Sequence, residues 1–288
     1  MLRIRPRVLI ALVGLLLCGC TSVFFQPSGP WLRTPADIGL AFEDVRIRSG
    51  DGSNISAWFL PAQGKAVGTL LFLHGNAQII STHIGAVHWL PAQGFNVLLL
   101  DYRGYGASQG GPSIEAAQED IDSAMRHLLA RTDIDPDRIV VFAQSLGGAL
   151  GLHYVAHSAH RAQIRGAVID SAFVGYRDIF REKLRAFWFT WTLSWPLGFA
   201  VSGEFRPIDA APKVAPIPLL FIHGDRDIVV PPHHSEALFE AARQPKEMWI
   251  VPNAGHIQSL SRPEVRERFV AWLRARMEES KAPPGRTP

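Results

Sequence analysis

Three polar residues of this sequence, a serine, an aspartate and a histidine, have the types and the order that nucleophilic catalysis needs. Ser145 lies in Ala143-Gln-Ser-Leu-Gly147, where a short apolar run breaks and small residues follow. A sharp turn from a buried strand into a helix needs such small neighbours and lifts the serine hydroxyl above the sheet. Taken alone the pattern is weak, because serine before glycine is common in ordinary loops.

The partners of the serine decide its chemistry. A serine hydroxyl is a poor nucleophile at neutral pH, so it needs a histidine base and a carboxylate that orients this base. In α/β sheets the catalytic groups lie beyond the carboxyl ends of the strands. Asp225 and Asp227 follow one apolar run, and His256 follows the next. Each residue alone also fits a turn or a solvated loop, but coincidence is improbable for their joint placement after Ser145.

The elements that would position these residues alternate along the chain. The runs 42–48 and 54–60 flank Ser-Gly-Asp-Gly-Ser, a turn-forming string, and predict a β-hairpin. Amphipathic helices are predicted over 112–131 and 265–277. Six further apolar runs alternate with helix-compatible segments, which indicates an α/β fold with a parallel sheet covered on both faces. These runs are 68–73, 95–100, 138–142, 165–169, 217–222 and 246–251.

The order of serine, acid and histidine resembles that of the α/β-hydrolase superfamily. The string His-Gly-Asp-Arg-Asp-Ile-Val-Val-Pro, residues 223–231, is similar to the acid loop of that superfamily, in which the acid is the third residue after the glycine. The resemblance implies Asp227 as the acid, with Asp225 as the lesser candidate. It spans residues 42 to about 273. It implies an α/β-hydrolase fold, with a mostly parallel, doubly wound sheet, an N-terminal antiparallel hairpin and a short helical cap.

Acyl transfer also requires hydrogen-bond donors for the oxyanion that forms on the substrate. The backbone N–H of Leu146, directly after the nucleophile, is one candidate. The string His74-Gly75-Asn76 is similar to the superfamily's His-Gly-X loop and implies the backbone N–H of Asn76 as the second donor. The His74 side chain is expected to shape this loop rather than to transfer protons.

A second landmark follows the run that ends at residue 100. Asp-Tyr-Arg-Gly-Tyr-Gly-Ala-Ser, residues 101–108, is most similar to the superfamily branch that contains membrane-associated hydrolases and protein depalmitoylases. We interpret Asp101, Arg103 and Tyr105 as structural supports beneath the oxyanion loop. The sharp turn at Ser145, which we call the elbow, has the superfamily pattern Gly-X-Ser-X-Gly with one departure. Ala143 replaces the first glycine.

The segment 173–215 occupies the position of the cap in this superfamily and is rich in aromatic residues. Large rings there could line an acyl pocket, contact a bilayer, or pack the cap onto the domain. No arginine or lysine cluster indicates a phosphorylated or carboxylated substrate. The candidate substrate-binding residues of the cap are Trp188, Phe189, Trp191 and Trp195.

The N-terminus has the pattern of an export signal. Three arginines precede an apolar run that is too short for an ordinary membrane span, so residues 1–19 are predicted to be a signal peptide. The string Leu17-Cys18-Gly19-Cys20 resembles a bacterial lipobox, which implies lipidation of Cys20. An ordinary signal peptide or a short uncleaved anchor is the alternative. The Pro-, Ser- and Gly-rich residues 20–37 are predicted to form an extended tether, 38–279 the hydrolase domain and 280–288 a polar tail.

The charge balance excludes a nucleic-acid partner. Arg3, Arg5 and Arg7 supply all of the formal net charge of +3, and from Cys20 onward 26 basic residues face 26 acidic ones. A neutral domain lacks the basic surface that binds a polyphosphate backbone. Both cysteines of the chain lie in the signal region, so the domain has neither a disulfide nor a cysteine nucleophile.

The sequence therefore predicts a serine hydrolase that cleaves esters or thioesters of a hydrophobic, lipid-like acyl group through an acyl-enzyme on Ser145. This chemistry needs no metal and no organic cofactor. A peptidase or amidase with the same machinery, or a non-catalytic envelope scaffold, is the alternative. The expected location is the bacterial envelope, with the lipid anchor in the outer membrane and the domain facing the periplasm.

Overall fold

Eight strands form a single sheet in the computed structural model of the protein, which describes residues 24–27, 29–185, 201 and 203–278. The strands are β1 (Glu43–Arg48), β2 (Asn54–Leu60), β3 (Gly68–Leu73), β4 (Phe95–Leu100), β5 (Ile139–Gln144), β6 (Ile164–Asp170), β7 (Leu219–Gly224) and β8 (Lys246–Val251). Their order across the sheet is β1-β2-β4-β3-β5-β6-β7-β8.

The directions of the strands confirm the predicted sheet. β1 and β2 form the antiparallel hairpin, and β2 also runs antiparallel to β4. The pairings from β4 through β3 and β5 to β8 are all parallel. The carboxyl ends of β3, β5, β6, β7 and β8 therefore meet at one edge, where the predicted catalytic residues follow their strands.

Helices cover this sheet. Those that the structure describes are α1 (Ile80–His83), α2 (Ile114–Ala130), α3 (Leu146–His157), α4 (Tyr176–Arg185), α5 (Pro207–Ala210), α6 (His233–Ala241) and α7 (Pro263–Glu278). In the ranges that the structure describes, none of the helices combines the length and the apolar character that a membrane crossing needs.

Both faces of the sheet are buried, as the unbroken apolar runs predict. On β3, Leu71 and Leu73 join the core on the side of α2 and α3, whereas Leu70 and Phe72 join the core on the side of α7. Alternation within one run therefore divides the side chains between two cores. This double burial fixes the register of each central strand and with it the height at which the strand ends.

The long helix α2 begins at a capping serine, and its buried face contains one charged residue among mostly apolar ones. The Ser113 hydroxyl accepts a hydrogen bond from the Ala116 N–H at 3.1 Å and so caps the first turn. The charged residue is Asp120, which is fully buried. Its carboxylate binds the Arg103 guanidinium at 2.8 Å, and this pairing makes a buried charge tolerable.

The segment predicted as a tether packs on the domain where the structure describes it. Phe25 is 5% exposed, and Trp31 lies with its ring centroid 4.9 Å from that of Trp58. A short 3-10 helix, Pro35–Ile38, follows. Burial of these aromatic side chains stabilises the packed conformation relative to an extended segment whose rings are exposed to water. Residues 1–23 and 279–288, with the signal peptide, Cys20 and the tail, lie outside the described residues.

Candidate active site

The structure brings the predicted serine, histidine and aspartate together in one hydrogen-bonded chain. Ser145 Oγ lies 2.9 Å from His256 Nε2, and His256 Nδ1 lies 2.7 Å from Asp227 Oδ2. Because a carboxylate only accepts hydrogen bonds, His256 carries its proton on Nδ1 and leaves Nε2 free to accept the serine proton. The three residues follow β5, β7 and β8, whose carboxyl ends share one edge of the sheet.

Ser145 occupies a strained backbone position between β5 and α3. Its dihedral angles are φ 55° and ψ −118°. For a residue with a Cβ, this conformation costs about 1–3 kcal/mol of conformational free energy. It persists only because contacts with the surrounding structure hold it in place. The Ser145 N–H donates to the Asp170 carbonyl at 2.8 Å and so ties the elbow to the end of β6. The strain points the hydroxyl away from the sheet and toward His256.

The small residues of the elbow are explained by close packing. A Cβ on Gly147 would collide with the carbonyls of Leu73 and His74, so the first turn of α3 lies directly against the end of β3. The methyl group of Ala143 faces Gly151, where an added Cβ would lie 2.8 Å from it. Alanine at the place of the usual first glycine is therefore accommodated, because Gly151 leaves the space for its methyl group.

The acid loop surrounds Asp227 with hydrogen-bond donors. Its Oδ1 accepts the N–H groups of Val229 and Val230, each at 2.8 Å. Its Oδ2 accepts from His256 and lies 3.1 Å from His223 Nε2. Burial alone would raise the pKa of the Asp227 carboxyl, but the hydrogen bonds from His223, His256 and Val230 hold this pKa well below its usual range. Asp227 therefore remains a carboxylate at any pH at which the protein works.

His223 is a part of this arrangement that the sequence analysis missed. Its Nδ1 lies 2.6 Å from Ser235 Oγ and its Nε2 lies 2.8 Å from the Val230 carbonyl. Because a carbonyl and a carboxylate both face Nε2, that nitrogen carries the proton and donates to them. His223 thus helps to orient Asp227 through Oδ2, the same carboxylate oxygen that His256 binds. The signal that could have found it is its place at the end of β7, four residues before the acid.

Asp225, the lesser candidate for the acid, has a different task. Its Oδ1 accepts the Asn253 N–H at 2.6 Å, which joins the acid loop to the turn before His256. The side chain is exposed at the surface of the protein. The geometry therefore pairs His256 with Asp227, as the resemblance implied.

The predicted oxyanion loop passes directly over the nucleophile. A Cβ on Gly75 would lie 3.2 Å from Ser145 Cβ, so the loop is close enough to serve the reacting carbonyl. Neither the Asn76 N–H nor the Leu146 N–H donates to an acceptor among the residues that the structure describes. Leu146 is the first residue of α3, whose N–H has no partner within the helix. Neither predicted donor is therefore occupied by a hydrogen-bond partner from the described residues.

Comparisons with known proteins agree with this fold. A family model described as serine aminopeptidase, S33, matches residues 64–204. The protein YfhR of Escherichia coli strain K12 is 36% identical over 223 residues, which cover 76% of this chain and 75% of YfhR. The α/β hydrolase domain-containing protein WAV2 of Arabidopsis thaliana is 34% identical over 267 residues, covering 88% of this chain and 86% of WAV2. The chain belongs to the α/β-hydrolase superfamily.

Solved structures show the same fold. The Pyrococcus furiosus esterase Pf2001 superimposes on this α/β-hydrolase with a TM-score of 0.71 at 20% identity, over 88% of this chain and 98% of the esterase. An esterase of Exiguobacterium antarcticum superimposes with a TM-score of 0.59 at 17% identity, over 82% of this chain and all of that one. At these identities the likeness concerns the fold alone.

The residues 101–108, which follow β4, make stabilising contacts at two places: the oxyanion loop and helix α2. Tyr105 donates its O–H to Asn76 Oδ1 at 2.7 Å, and Asp101 Oδ1 accepts the Ile80 N–H at 2.8 Å, so both act at the oxyanion loop as interpreted. Arg103 was placed there wrongly. Its guanidinium instead binds Asp120 on α2 and Asp51 in the turn between β1 and β2, so it ties the helix to the hairpin.

Two histidines, His74 in the oxyanion loop and His83 at the end of α1, are buried and neutral in this hydrolase. His74 Nδ1 donates to the Gly75 carbonyl at 2.7 Å, and burial lowers the pKa of His74 to about 4. The His83 ring also lies close to Gly75, and burial lowers its pKa to about 3. His74 therefore shapes the loop, as expected. The sequence did not single out His83, whose ring packs against this loop.

Backbone strain is concentrated around the active site of the hydrolase. Besides Ser145, positive φ angles occur at Ala77 after the oxyanion loop, at Ser171 after β6 and at Ile257 after His256. For a β-branched residue such as Ile257 this conformation is a genuine outlier. The Ile257 N–H donates to Ser171 Oγ at 3.3 Å, so two strained residues stabilise one another. Strain of this kind is typical of sites where side chains must be aimed.

Helices α4 and α6 carry one group of three side chains, Glu182, His233 and His234, whose ligand atoms lie close enough together to hold a metal ion. It is the one such group in the described part of the chain. Glu182 Oε2 lies 3.0 Å from His234 Nε2 and 3.3 Å from His233 Nε2. The Val174 N–H points at His234 Nδ1 at 3.4 Å, which places the His234 proton on Nε2, toward Glu182. A metal on Nε2 would have to displace this proton, so the group fits a hydrogen-bonded tie between α4 and α6 better than a metal site. The cap residues Trp188, Phe189, Trp191 and Trp195 lie outside the described residues.

Proposed function

We propose that this protein is a serine hydrolase that cleaves the ester or thioester bond of a hydrophobic acyl substrate through an acyl-enzyme on Ser145. The observation that carries the proposal is the chain of two hydrogen bonds, 2.9 Å and 2.7 Å long, from Ser145 through His256 to Asp227. A second support is that the two proposed donors lie close to the serine in the chain or in space: Leu146 directly follows it, and Asn76 follows Gly75, which packs against Ser145.

The proposed reaction has two halves. Ser145 Oγ attacks the acyl carbon while His256 Nε2 takes the hydroxyl proton, and the N–H groups of Asn76 and Leu146 stabilise the oxyanion. The bond to the leaving alcohol or thiol breaks, and His256 gives this group its proton. A water then attacks the acyl-enzyme, with His256 again accepting and returning one proton. The products are a carboxylic acid and the free enzyme, so the proton balance closes on His256.

An aminopeptidase is the second candidate, because the matching family model carries that description. Such an enzyme must bind the free ammonium group of its substrate, and a carboxylate is the usual partner. The carboxylates near the triad in the described part of the chain are already engaged. Asp170 binds Gln144 and Ser171, Asp101 binds the Ile80 N–H, and Glu182 binds the histidines of α6. This observation favours a neutral acyl substrate.

A panel of chromogenic substrates tests the choice between ester and amide. We expect kcat/KM for p-nitrophenyl butyrate and for butyrylthiocholine to exceed that for leucine p-nitroanilide by about 100-fold or more. Enzyme inactivated beforehand with phenylmethylsulfonyl fluoride provides the background rate. Cleavage of the anilide at a rate equal to that of the ester would replace the proposal by the peptidase. No turnover of any substrate, together with no labelling by a fluorophosphonate, would favour the non-catalytic scaffold.

We also propose that the hydrolase is attached to the outer membrane of a bacterium through a lipid on Cys20, with its domain in the periplasm. The lipobox-like string that ends at Cys20 supports this location. We expect cells fed an alkyne analogue of palmitate to label the protein. Cys20→Ser should lose the label, whereas the neighbouring Cys18→Ser should keep it. Equal labelling of both variants would contradict the assignment.

A further inference from the structure

The residues before the hydrolase domain pack beside the oxyanion loop rather than extending away from the domain. Phe24 lies edge-on to Tyr176 and Phe180 of α4, with ring centroids 5.4 Å and 6.1 Å apart. The next residue, Phe25, is 5% exposed and contacts Tyr105 at a centroid distance of 6.3 Å. The described residues 24–27 and 29–34, named here the N-terminal strap, therefore start at the base of the cap and continue across the oxyanion loop.

The strap makes its first polar contact on Asn76, the predicted oxyanion residue. The Gln26 N–H donates to Asn76 Oδ1 at 2.8 Å and approaches the Tyr105 hydroxyl at 3.1 Å. Tyr105 donates its own proton to the same Asn76 oxygen at 2.7 Å. Two donors, one of them from the strap, thus hold the side chain of the residue whose backbone N–H must face the substrate oxygen.

A second group of contacts holds the far end of the same loop. Trp31 Nε1 donates to Asp101 Oδ2 at 2.9 Å, and Asp101 Oδ1 accepts from the Ile80 N–H, the first residue of α1. The Leu32 N–H donates to the Ser81 hydroxyl oxygen at 2.9 Å. Asp101 is fully buried, so Trp31 also supplies one of the few hydrogen bonds that stabilise a carboxyl group there.

These contacts lie on the residue that carries the oxyanion donor and on the start of α1, where its loop ends. We infer that the N-terminal strap positions the oxyanion loop, and that Trp31 and the backbone of Gln26 are positioning residues for the Asn76 N–H. The inference rests on the proposed serine-hydrolase function. Donors at an oxyanion hole act only when they lie about 2.7–3.1 Å from the oxygen that develops charge. Loss of the strap contacts would let the loop relax, and the cost would appear mainly in the transition state.

Two conservative variants of the full-length protein test the positioning role. Trp31→Phe keeps an aromatic ring and removes the indole N–H. Asn76→Ala keeps the backbone donor and removes the oxygen that Gln26 and Tyr105 hold. For each variant we expect kcat on p-nitrophenyl butyrate to fall about tenfold, with KM within about twofold of wild type. The inhibition constant of butylboronic acid, which forms a tetrahedral adduct on the serine, should rise by the same factor as kcat falls.

The control variant is Ile38→Ser, which changes a half-exposed side chain just beyond the strap. It should leave kcat, KM and the boronate constant unchanged. A merely structural role would instead lower the melting temperature and change KM without moving the boronate constant in parallel, and that result would overturn the inference. Unchanged kcat in both Trp31→Phe and Asn76→Ala, on an active wild type, would also overturn it and leave the proposed function intact. If the wild-type protein were inactive on these substrates, both the proposed function and the inference about the strap would fail.

Discussion

Replacing Ser145 by alanine is expected to lower kcat/KM for p-nitrophenyl butyrate by about 10⁴-fold or more. The variant lacks the only hydroxyl that His256 Nε2 accepts from in the described structure. Without it no acyl-enzyme forms, and the remaining rate comes from the oxyanion donors and from substrate binding alone. The same variant should form no adduct with a fluorophosphonate probe, as measured by intact-protein mass spectrometry.

The substitution should leave the fold unchanged. Alanine keeps the Cβ that is held at φ 55°, so it neither relieves nor adds backbone strain, and the free energy of unfolding should stay within about 0.5 kcal/mol of wild type. Ser261→Ala, which alters an exposed serine in the short 3-10 helix Ser259–Ser261 after His256, is the matched control and should keep full activity. An undiminished adduct on Ser145→Ala would show that another residue is the nucleophile.

The positions of the strands and of the triad could be predicted because both depend on local patterns. The runs 68–73, 95–100 and 246–251 have the bounds that the sequence predicted, since each is a short, mostly apolar stretch followed by a segment rich in polar or turn-forming residues. Ser145, Asp227 and His256 each follow such a run. Parallel strands end at the same edge of the sheet, so chain position alone implied that these residues are neighbours.

The docking of the strap could not be predicted in this way. A Pro-, Ser- and Gly-rich composition indicates that no regular helix or strand forms, but it does not say whether the segment packs on the domain. What decides the packing is a contact between Trp31 and Asp101, which are 70 positions apart in the sequence. Without a periodic pattern, nothing in the sequence marks that buried carboxylate as the partner of that indole.

The partners of polar residues beyond a strand end were equally hidden. Arg103 and Asp101 are two residues apart in the same landmark, yet Asp101 faces the oxyanion loop and Arg103 faces α2. His223 begins the string that contains the acid, but nothing in that string indicates that its ring faces Asp227. In each case the sequence places the residue at the correct edge. The direction of its side chain depends on how the loop bends after the strand.

The second large effect expected is on Asp227. In Asp227→Asn the amide oxygen should keep the place of Oδ1, because it still accepts the N–H groups of Val229 and Val230. The NH₂ group then faces His256 Nδ1 and donates to it. The histidine proton moves to Nε2, and His256 is unable to take the proton of Ser145. We therefore expect kcat to fall by about 10³- to 10⁴-fold.

The neighbouring Asp225→Asn is the matched control, since it alters the other aspartate of the same loop. Its amide oxygen can accept the Asn253 N–H in place of the carboxylate, so kcat/KM should remain within about twofold of wild type. Circular dichroism and urea unfolding of both variants separate a loss of chemistry from a loss of fold. Because His223 also donates to Asp227, the buried variant should lose some stability, by about 1–3 kcal/mol. If Asp225→Asn lost more activity than Asp227→Asn, the acid would be Asp225, and the hydrogen bond from His256 to Asp227 would have only a structural role.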